Sequence, residues 1–309
     1  YLDTTSMRSL NDTTVGNFGG VGLSISKPVN STAEKPAYVE VASPIEGGPG
    51  YKAGIHAGDL LISINGTPTQ DITMDEVLGM LRGKIGESVD VVVRRGKNME
   101  FPVTLVRELI EVPTVKFGMI DDKNAKIGYL RIIEFTPQTA QRVQDAIDSF
   151  KKNNFTGMII DLRNNPGGLI TSVADVADKF IDSGIIVSTK SRISEAASVY
   201  TASPDATTMP KGIPIVVLIN KGSASASEIL AGALKDYHLA YLVGERTYGK
   251  GSVQQVIPLY NADGVKLTMA RYYTPSDVNI DKIGIPPDLE VKVPDLTEEQ
   301  EKSYVELIN

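Results

Sequence analysis

IPIVVLINKGSASASEILAGALK, residues 213–235, is the stretch that decides the fold. Its first eight residues are almost wholly apolar, which is typical of a strand buried on both faces in a sheet covered by helices. Residues 226–235 then have the composition of a helix. Strand and helix patterns alternate in this way from residue 108 onward. We therefore predict a mixed α/β core with substantial parallel strand pairing.

Other elements of this core follow from apolar periodicity. An apolar stripe of Val143, Ile147 and Phe150 marks one of its helices. We predict strands at 126–132, 157–162, 185–189 and 213–220, helices at 137–150, 170–181 and 226–235, and further strands between 241 and 273 that extend the same sheet.

Residues 19–107 have a different, β-rich pattern with one helix. Within them, SPIEGGPGYKAGIHAGDLLISINGTP at 43–68 resembles the central signature of a PDZ domain. The resemblance implies that an extended peptide adds to a strand beside the helix, with its terminal carboxylate held by backbone N–H groups. The predicted donors lie in one glycine turn, at Gly19, Gly20, Val21 and Gly22. Residues 18–25 join this glycine turn to a predicted strand. Further strands are predicted at 37–42, 60–65, 88–96 and 99–106, and a helix at 74–83.

These patterns divide the chain into four parts. We predict a polar arm at 1–18, the PDZ domain at 19–107, the α/β core at 108–292 and an acidic amphipathic helix at 293–309. We interpret the last part as a packing or subunit-contact element, compatible with a homo-oligomer.

Composition excludes several classes of function. The net charge of −7 and the lack of any Lys/Arg block argue against nucleic acid as a partner. Without cysteine, thiol chemistry and Cys/His metal clusters are excluded, and we interpret His56 and His238 as structural. No run of about 18 apolar residues occurs, so membrane contact would need a segment missing from this chain. Any nucleophile is therefore a hydroxyl group.

Three short stretches carry the chemistry: DLRNNPGGL at 161–169, KGSASASEI at 221–229 and TYGKGSVQQ at 247–255. They supply a glycine turn, serines at a helix start and a lysine. The first two directly follow predicted strands, and strand-end loops of an α/β sheet gather at one edge. A serine at a helix N-terminus suits acyl transfer, because free N–H groups there stabilise an oxyanion. Ser225-x-x-Glu228 also fits an ordinary helix capping box, so the pattern alone leaves both interpretations open.

The second half of the chain resembles the catalytic core of the carboxyl-terminal processing peptidases, the tail-specific protease family. The resemblance covers essentially the whole chain, including the PDZ-before-core order and KIGIPPDLEV at 282–291. It selects Ser225 among the three serines as the nucleophile, implies Lys250, 25 positions later, as the general base, and implies that Gln254 positions the lysine by a hydrogen bond.

The same resemblance implies the oxyanion donors: the N–H of Ala226 with one from Gly167 or Gly168. A lysine accepts a proton only when neutral, so its surroundings must exclude water. Gly249 and Gly251 would let the backbone pack closely around it. Lys221 is the rival base, and we expect it to remain exposed.

The expected function is a serine endopeptidase that captures the free carboxyl-terminal tail of a protein or peptide and cleaves it through an acyl-enzyme. No metal or organic cofactor is implied. Two alternatives are a noncatalytic PDZ scaffold and a crotonase-type acyl-CoA enzyme, whose strand-end N–H pairs would suit a thioester oxyanion equally well. By analogy with the family we expect an extracytoplasmic location, outside the cytoplasmic membrane and anchored through a missing segment.

Overall fold

The computed structural model describes residues 1–2, 7, 17–28, 37–97, 99–111, 113–122, 125–192, 197–260 and 263–292. The chain divides into two compact units. The small unit is residues 15–112, and the large unit is residues 1–14 with 113–309. The predicted helix at 293–309 and most of the predicted arm lie outside the described residues.

The small unit is an antiparallel sheet with short helices. Its strands are β1 (Asn17–Gly20), β2 (Leu23–Ser26), β3 (Val39–Pro44), β4 (Leu60–Ile64), β5 (Thr67–Pro68), β6 (Ser88–Arg95), β7 (Met99–Val106) and β8 (Glu108–Glu111), and its helices are α1 (Pro49–Lys52), a 3-10 turn (Thr69–Asp71) and α2 (Met74–Leu81). The main sheet has the order β2-β3-β4-β6-β7, with β5 beside β4. Thr73 and Glu76 form a capping box at the start of α2, and Val77 and Leu81 are buried in the core.

The glycine turn predicted before the strand at 18–25 is shorter than expected. Gly19 and Gly20 lie in β1, and the turn consists of Val21 and Gly22, where Gly22 has a φ of +66°, a left-handed conformation that interrupts strand pairing. Before the break, β1 pairs with β8 rather than with the main sheet.

The large unit confirms the predicted α/β core. Its strands are β9 (Val115–Asp122), β10 (Ala125–Ile132), β11 (Gly157–Asp161), β12 (Gly184–Lys190), β13 (Ser198–Ala202), β14 (Ile215–Ile219), β15 (Ala240–Gly244), β16 (Ser252–Pro258), β17 (Gly264–Tyr273) and β18 (Leu289–Glu290), and its helices are α3 (Thr139–Lys152), α4 (Ile170–Ala177) and α5 (Ala226–Asp236). The six-stranded sheet has the order β18-β15-β14-β11-β10-β9. All its pairs except β9–β10 are parallel. Val143, Ile147 and Phe150 are fully buried, so the predicted stripe of α3 faces the core.

One part of the predicted topology is wrong. β16 and β17, together with β12, do not extend the parallel sheet but form a second sheet in the order β13-β12-β17-β16. β17 pairs antiparallel with both β12 and β16, so neither of its edges is available to the parallel sheet. None of the helices in the described part of the chain is long and apolar enough to cross a membrane.

Candidate active site

The three predicted motifs meet at one edge of the parallel sheet. β11, β14 and β15 are parallel neighbours, so their carboxyl ends lie side by side. The loop after β11 carries the glycine turn, the loop after β14 carries the serines, and the loop after β15 leads to Lys250. The cleft at this edge has a volume of about 540 Å³. Its lining includes all the predicted catalytic and oxyanion residues: Gly167, Gly168, Ser225, Ala226, Lys250 and Gln254.

A buried asparagine fastens the glycine loop to the serine loop. The side chain of Asn165 donates to the carbonyl of Ile132 at 2.8 Å and accepts from the N–H of Gly167 at 2.8 Å. Its carbonyl accepts from the N–H of Ala224 and from the hydroxyl of Ser227, both at 2.9 Å. Because every polar group of Asn165 is used, the two loops are held in one arrangement.

The three serines of the motif have different environments. Ser223 and Ser227 are fully buried, and their hydroxyls donate to the carbonyls of Leu162 and Asn165. Ser225 lies between them, half-buried, at the surface of the cleft. Of the three hydroxyls, that of Ser225 is therefore the one a substrate can reach.

Ser225 has a strained backbone directly before α5. Its φ is +57° and its ψ is −118°, a region that costs a non-glycine residue about 1–3 kcal/mol. Such a sharp strand-to-helix turn lifts a nucleophilic hydroxyl out of the sheet edge. A helix N-terminus at this point adds free N–H groups and the positive end of the dipole.

Glu228 ties the serine loop to the lysine loop. Its carboxylate is fully buried, and one oxygen accepts from the N–H groups of Ser225 at 2.9 Å and Lys250 at 2.8 Å. The other accepts from the N–H of Gly249 at 2.7 Å and from the hydroxyl of Thr247. The predicted contact from Glu228 to the Ser225 N–H is therefore present, and the same side chain also fixes the backbone of the predicted base.

Lys250 is half-buried between two closely packed glycines. A methyl carbon would lie 2.9 Å from the nitrogen of Ile283 at Gly249, and 2.4 Å from the nitrogen of Asp281 at Gly251. Such distances exclude a side chain, so the close packing predicted for both glycines is present. Among the described residues, no carboxylate lies within ion-pair distance of Lys250 Nζ.

The other candidate bases lie elsewhere. Lys221 is 83% exposed and pairs with Glu245, as predicted for a surface lysine. His56 and His238 are exposed, and neither lines the cleft. Gln254 lines the cleft on β16 but is exposed, and within the described residues it makes no hydrogen bond to Lys250. Burial raises the pKa of Glu134, a further carboxyl group in this cleft.

The backbone offers two candidate oxyanion donors. Ala226 is the first residue of α5, and no acceptor within the described residues takes its N–H. The N–H of Gly167 is already donated to Asn165, whereas that of Gly168 has no acceptor in the described part of the chain. The geometry therefore favours Gly168 over Gly167 as the second donor.

Asp161 stabilises the start of the glycine loop. It is fully buried at the end of β11 and accepts hydrogen bonds from Arg163 at 2.7 and 2.9 Å and from the hydroxyl of Tyr129 at 2.7 Å. Burial favours the neutral acid, but the hydrogen bonds from Arg163 and Tyr129 outweigh it and lower the pKa of Asp161. The carboxylate therefore stays ionised and holds the loop at neutral pH.

The predicted peptide-binding turn of the small unit has free N–H groups. The carbonyls of Val21 and Gly22 accept from Gly50 and Ile45, each at 2.8 Å, whereas no acceptor within the described residues takes the N–H of either one. Gly19 and Gly20 belong to β1, and a methyl carbon at Gly19 would lie 2.2 Å from the carbonyl oxygen of Gly83.

The sequence did not indicate Tyr272. Its hydroxyl donates to Ser225 Oγ at 2.9 Å, from a position 47 residues further along the chain. No local pattern links the two residues, because β17 reaches the cleft only through its pairing with β12 and β16. The S-x-x-E spacing did indicate that Glu228 contacts Ser225. It did not indicate the contacts of Glu228 with the backbone of Gly249 and Lys250.

Family models match both units of the chain. The model of peptidase family S41 matches residues 126–291, and a PDZ domain model matches residues 40–95.

Curated relatives cover nearly all of the chain. It is 39% identical over 299 residues to a carboxy-terminal-processing protease of Bartonella bacilliformis, covering 95% of this chain and 66% of that protein. It is 37% identical over 295 residues to the chloroplastic carboxyl-terminal-processing peptidase 2 of Arabidopsis thaliana, covering 93% of this chain and 56% of that protein. The chain therefore spans less than two thirds of the length of these relatives.

Solved structures show the same architecture. A photosystem II D1 C-terminal processing protease is 32% identical, with a TM-score of 0.56 over 99% of this chain and 80% of that chain. A putative S41 protease from Bacteroides fragilis, at 16% identity, has a TM-score of 0.58 over 97% of this chain and 87% of that one, which is a likeness of fold.

Together, the fold and the matched domains define a PDZ domain joined to a mixed α/β peptidase core. The chain belongs to peptidase family S41.

Proposed function

We propose that this chain is a serine endopeptidase that binds the free carboxyl-terminal tail of a protein and cleaves it through a Ser225–Lys250 acyl-enzyme. The observation that carries the proposal is the environment of Ser225. It is the accessible serine of its motif, it has a strained backbone at a helix N-terminus, and it shares one cleft with Lys250.

In the proposed reaction, the neutral amine of Lys250 takes the proton of Ser225 as Oγ attacks the scissile carbonyl carbon. The N–H groups of Ala226 and Gly168 would stabilise the oxygen that becomes negative. The Lys250 ammonium then protonates the departing amine, leaving an ester on Ser225. Water, deprotonated by Lys250, hydrolyses that ester and restores the serine. In this scheme Gln254 contacts the lysine only after a rearrangement of β16.

Recognition of the tail is proposed for residues 19–22, at the turn between β1 and β2. The unpaired N–H groups of Val21 and Gly22 support it, since a terminal carboxylate binds to such groups. We also propose export from the cytoplasm.

Two lysine variants test the catalytic role. Lys250→Arg should lower turnover of an unstructured protein substrate about 1,000-fold or more, because a permanent cation accepts no proton. Lys221→Arg is the matched control: it keeps the charge at an exposed site and should remain within about twofold of wild type. Ser225→Ala should bind the substrate without cleaving it. Full activity in Lys250→Arg or Ser225→Ala would reject the mechanism.

The substrate's end group tests recognition and separates the alternatives. An amidated carboxyl terminus should raise KM about tenfold with little change in kcat, because the blocked end loses a charge-assisted contact. Equal KM values would refute tail recognition and leave the peptidase intact. Binding without any cleavage by the wild type would favour the PDZ scaffold, and hydrolysis of an acyl-CoA thioester but not of peptides would favour the crotonase-type enzyme.

A further inference from the structure

Among the described residues, Tyr272 is the one whose side chain donates a hydrogen bond to Ser225 Oγ. Its hydroxyl donates to Ser225 Oγ at 2.9 Å, while its ring is 3% exposed in the core of the large unit. Its own N–H donates to the carbonyl of Gly251 at 3.0 Å, directly after Lys250 in the chain. One residue therefore contacts both the serine and the loop of the proposed base.

The Tyr272 hydroxyl is the donor in this hydrogen bond, and its proton is firmly held. Burial first, and then the nearby carboxylates of Glu228 and Asp281, raise the pKa of Tyr272 well above its ordinary value, against the opposing effect of Ser225. The phenol therefore stays protonated and keeps the proton that it donates to Ser225 Oγ. It is not a base in competition with Lys250.

A serine hydroxyl has one proton and two lone pairs. Because Oγ accepts the proton of Tyr272, the proton of Ser225 must point away from Tyr272, and the cleft that Ser225 shares with Lys250 is open to it.

We propose that Tyr272 is a positioning residue of the peptidase reaction, which holds the Ser225 hydroxyl so that its proton faces Lys250. This inference rests on the proposed function. It assigns a role to a residue on β17, outside the three motifs that define the serine, the lysine and the glycine turn.

Tyr272→Phe tests the inference because it removes only the hydroxyl. A peptide p-nitrophenyl ester is a suitable probe, since nitrophenolate leaves without being protonated and the initial burst reports attack by Ser225 alone. We expect the burst rate constant and the kcat for peptide cleavage to fall by similar factors, about 10- to 100-fold, with KM within twofold of wild type.

Tyr273→Phe is the matched control. It makes the same change at the next residue, whose ring lies 4.2 Å from the Lys190 ammonium rather than against Ser225. It should leave both rates within twofold of wild type.

Each outcome is decisive. A Tyr272→Phe protein that is folded by circular dichroism and acylates at the wild-type rate, or faster, overturns the inference. If it does not fold, Tyr272→3-fluorotyrosine keeps the ring and hydroxyl but makes a stronger donor. A burst rate constant of this variant that differs more than twofold from that of wild type supports the inference, and an unchanged rate constant overturns it. A folded wild type that shows neither burst nor peptide cleavage would instead refute the proposed function.

Discussion

Each unit of the chain contains a glycine turn with N–H groups that have no acceptor among the described residues, but the two turns tolerate change differently. Around Gly22 in the small unit, a methyl carbon would lie 3.3 Å from both Gly48 Cα and Ile110 Cδ1. Around Gly167 in the large unit, a methyl carbon would lie 2.6 Å from Ser225 Cβ. In the proposed function, the first turn holds a carboxylate that exists before and after the reaction. The second is packed against the proposed nucleophile, so we expect changes there to affect catalysis rather than binding.

Gly167→Ala should have the largest effect. The added methyl group must displace Ser225 or the Ala224 carbonyl oxygen, which lies 2.8 Å away, and φ is +110°. A misplacement of about 1 Å costs on the order of 100-fold in kcat, so we expect at least that loss in steady-state assays of peptide cleavage. Gly212→Ala is the control, since Gly212 also has positive φ but no atoms within 4 Å. It should keep wild-type kcat. Equal kcat values for the two variants would remove the distinction between the turns.

Gly22→Ala should have an intermediate effect, on binding. Its φ of +66° and close neighbours mean that an added methyl group shifts the proposed donor turn. We expect KM for a substrate with a free carboxyl terminus to rise about tenfold, with kcat unchanged. Gly47→Ala controls for backbone strain, because Gly47 has φ +74° and open surroundings. A fall in kcat without a change in KM would contradict this division of roles.

The two units should differ least in how their stability falls in acid. Each unit has a buried aspartate beside an arginine, Asp59 with Arg95 and Asp161 with Arg163, and the pKa of each aspartate lies below its ordinary value. An aspartate in an unfolded chain has a pKa of about 3.9. The stabilisation that each ionised aspartate gives the folded unit is therefore complete above that pH, and it is lost as the pH falls through the lower pKa of the folded state.

Urea unfolding between pH 2 and pH 7 measures this effect. In Asp161→Asn, the unfolding free energy of the large unit should fall less steeply as the pH is lowered. In Asp59→Asn, the same should hold for the small unit. An unchanged slope in Asp161→Asn would show that its pKa is the same in both states.

The parallel core could be predicted from the sequence, because an apolar run like that at 213–220 is typical of a strand buried on both faces of a sheet. It did not predict β13, whose residues Ser198–Ala202 are half exposed or exposed and lack a strong pattern. It also assigned β16 and β17 to the wrong sheet, since strand partners are chosen by tertiary pairing rather than by local composition.

The residues of the candidate site could be predicted where they belong to local sequence motifs. Ser225 and Lys250 belong to motifs at strand ends, so family resemblance indicated them. Tyr272 and the second role of Glu228 depend on contacts 47 and about 20 residues apart, which no local spacing encodes. The choice of Gly168 over Gly167 depends on the side chain of Asn165, whose direction only the structure gives.

The central claim is that Ser225 carries the acyl group during the reaction. The most direct measurement is acid quenching of the peptide ester reaction, tryptic digestion and fragmentation mass spectrometry of GSASASEILAGALK, residues 222–235. The account predicts the substrate's acyl mass on Ser225, in wild type and Lys221→Arg but not in Lys250→Arg. An acyl group on Ser223, Ser227 or a different peptide would contradict it, as would full acylation without Lys250.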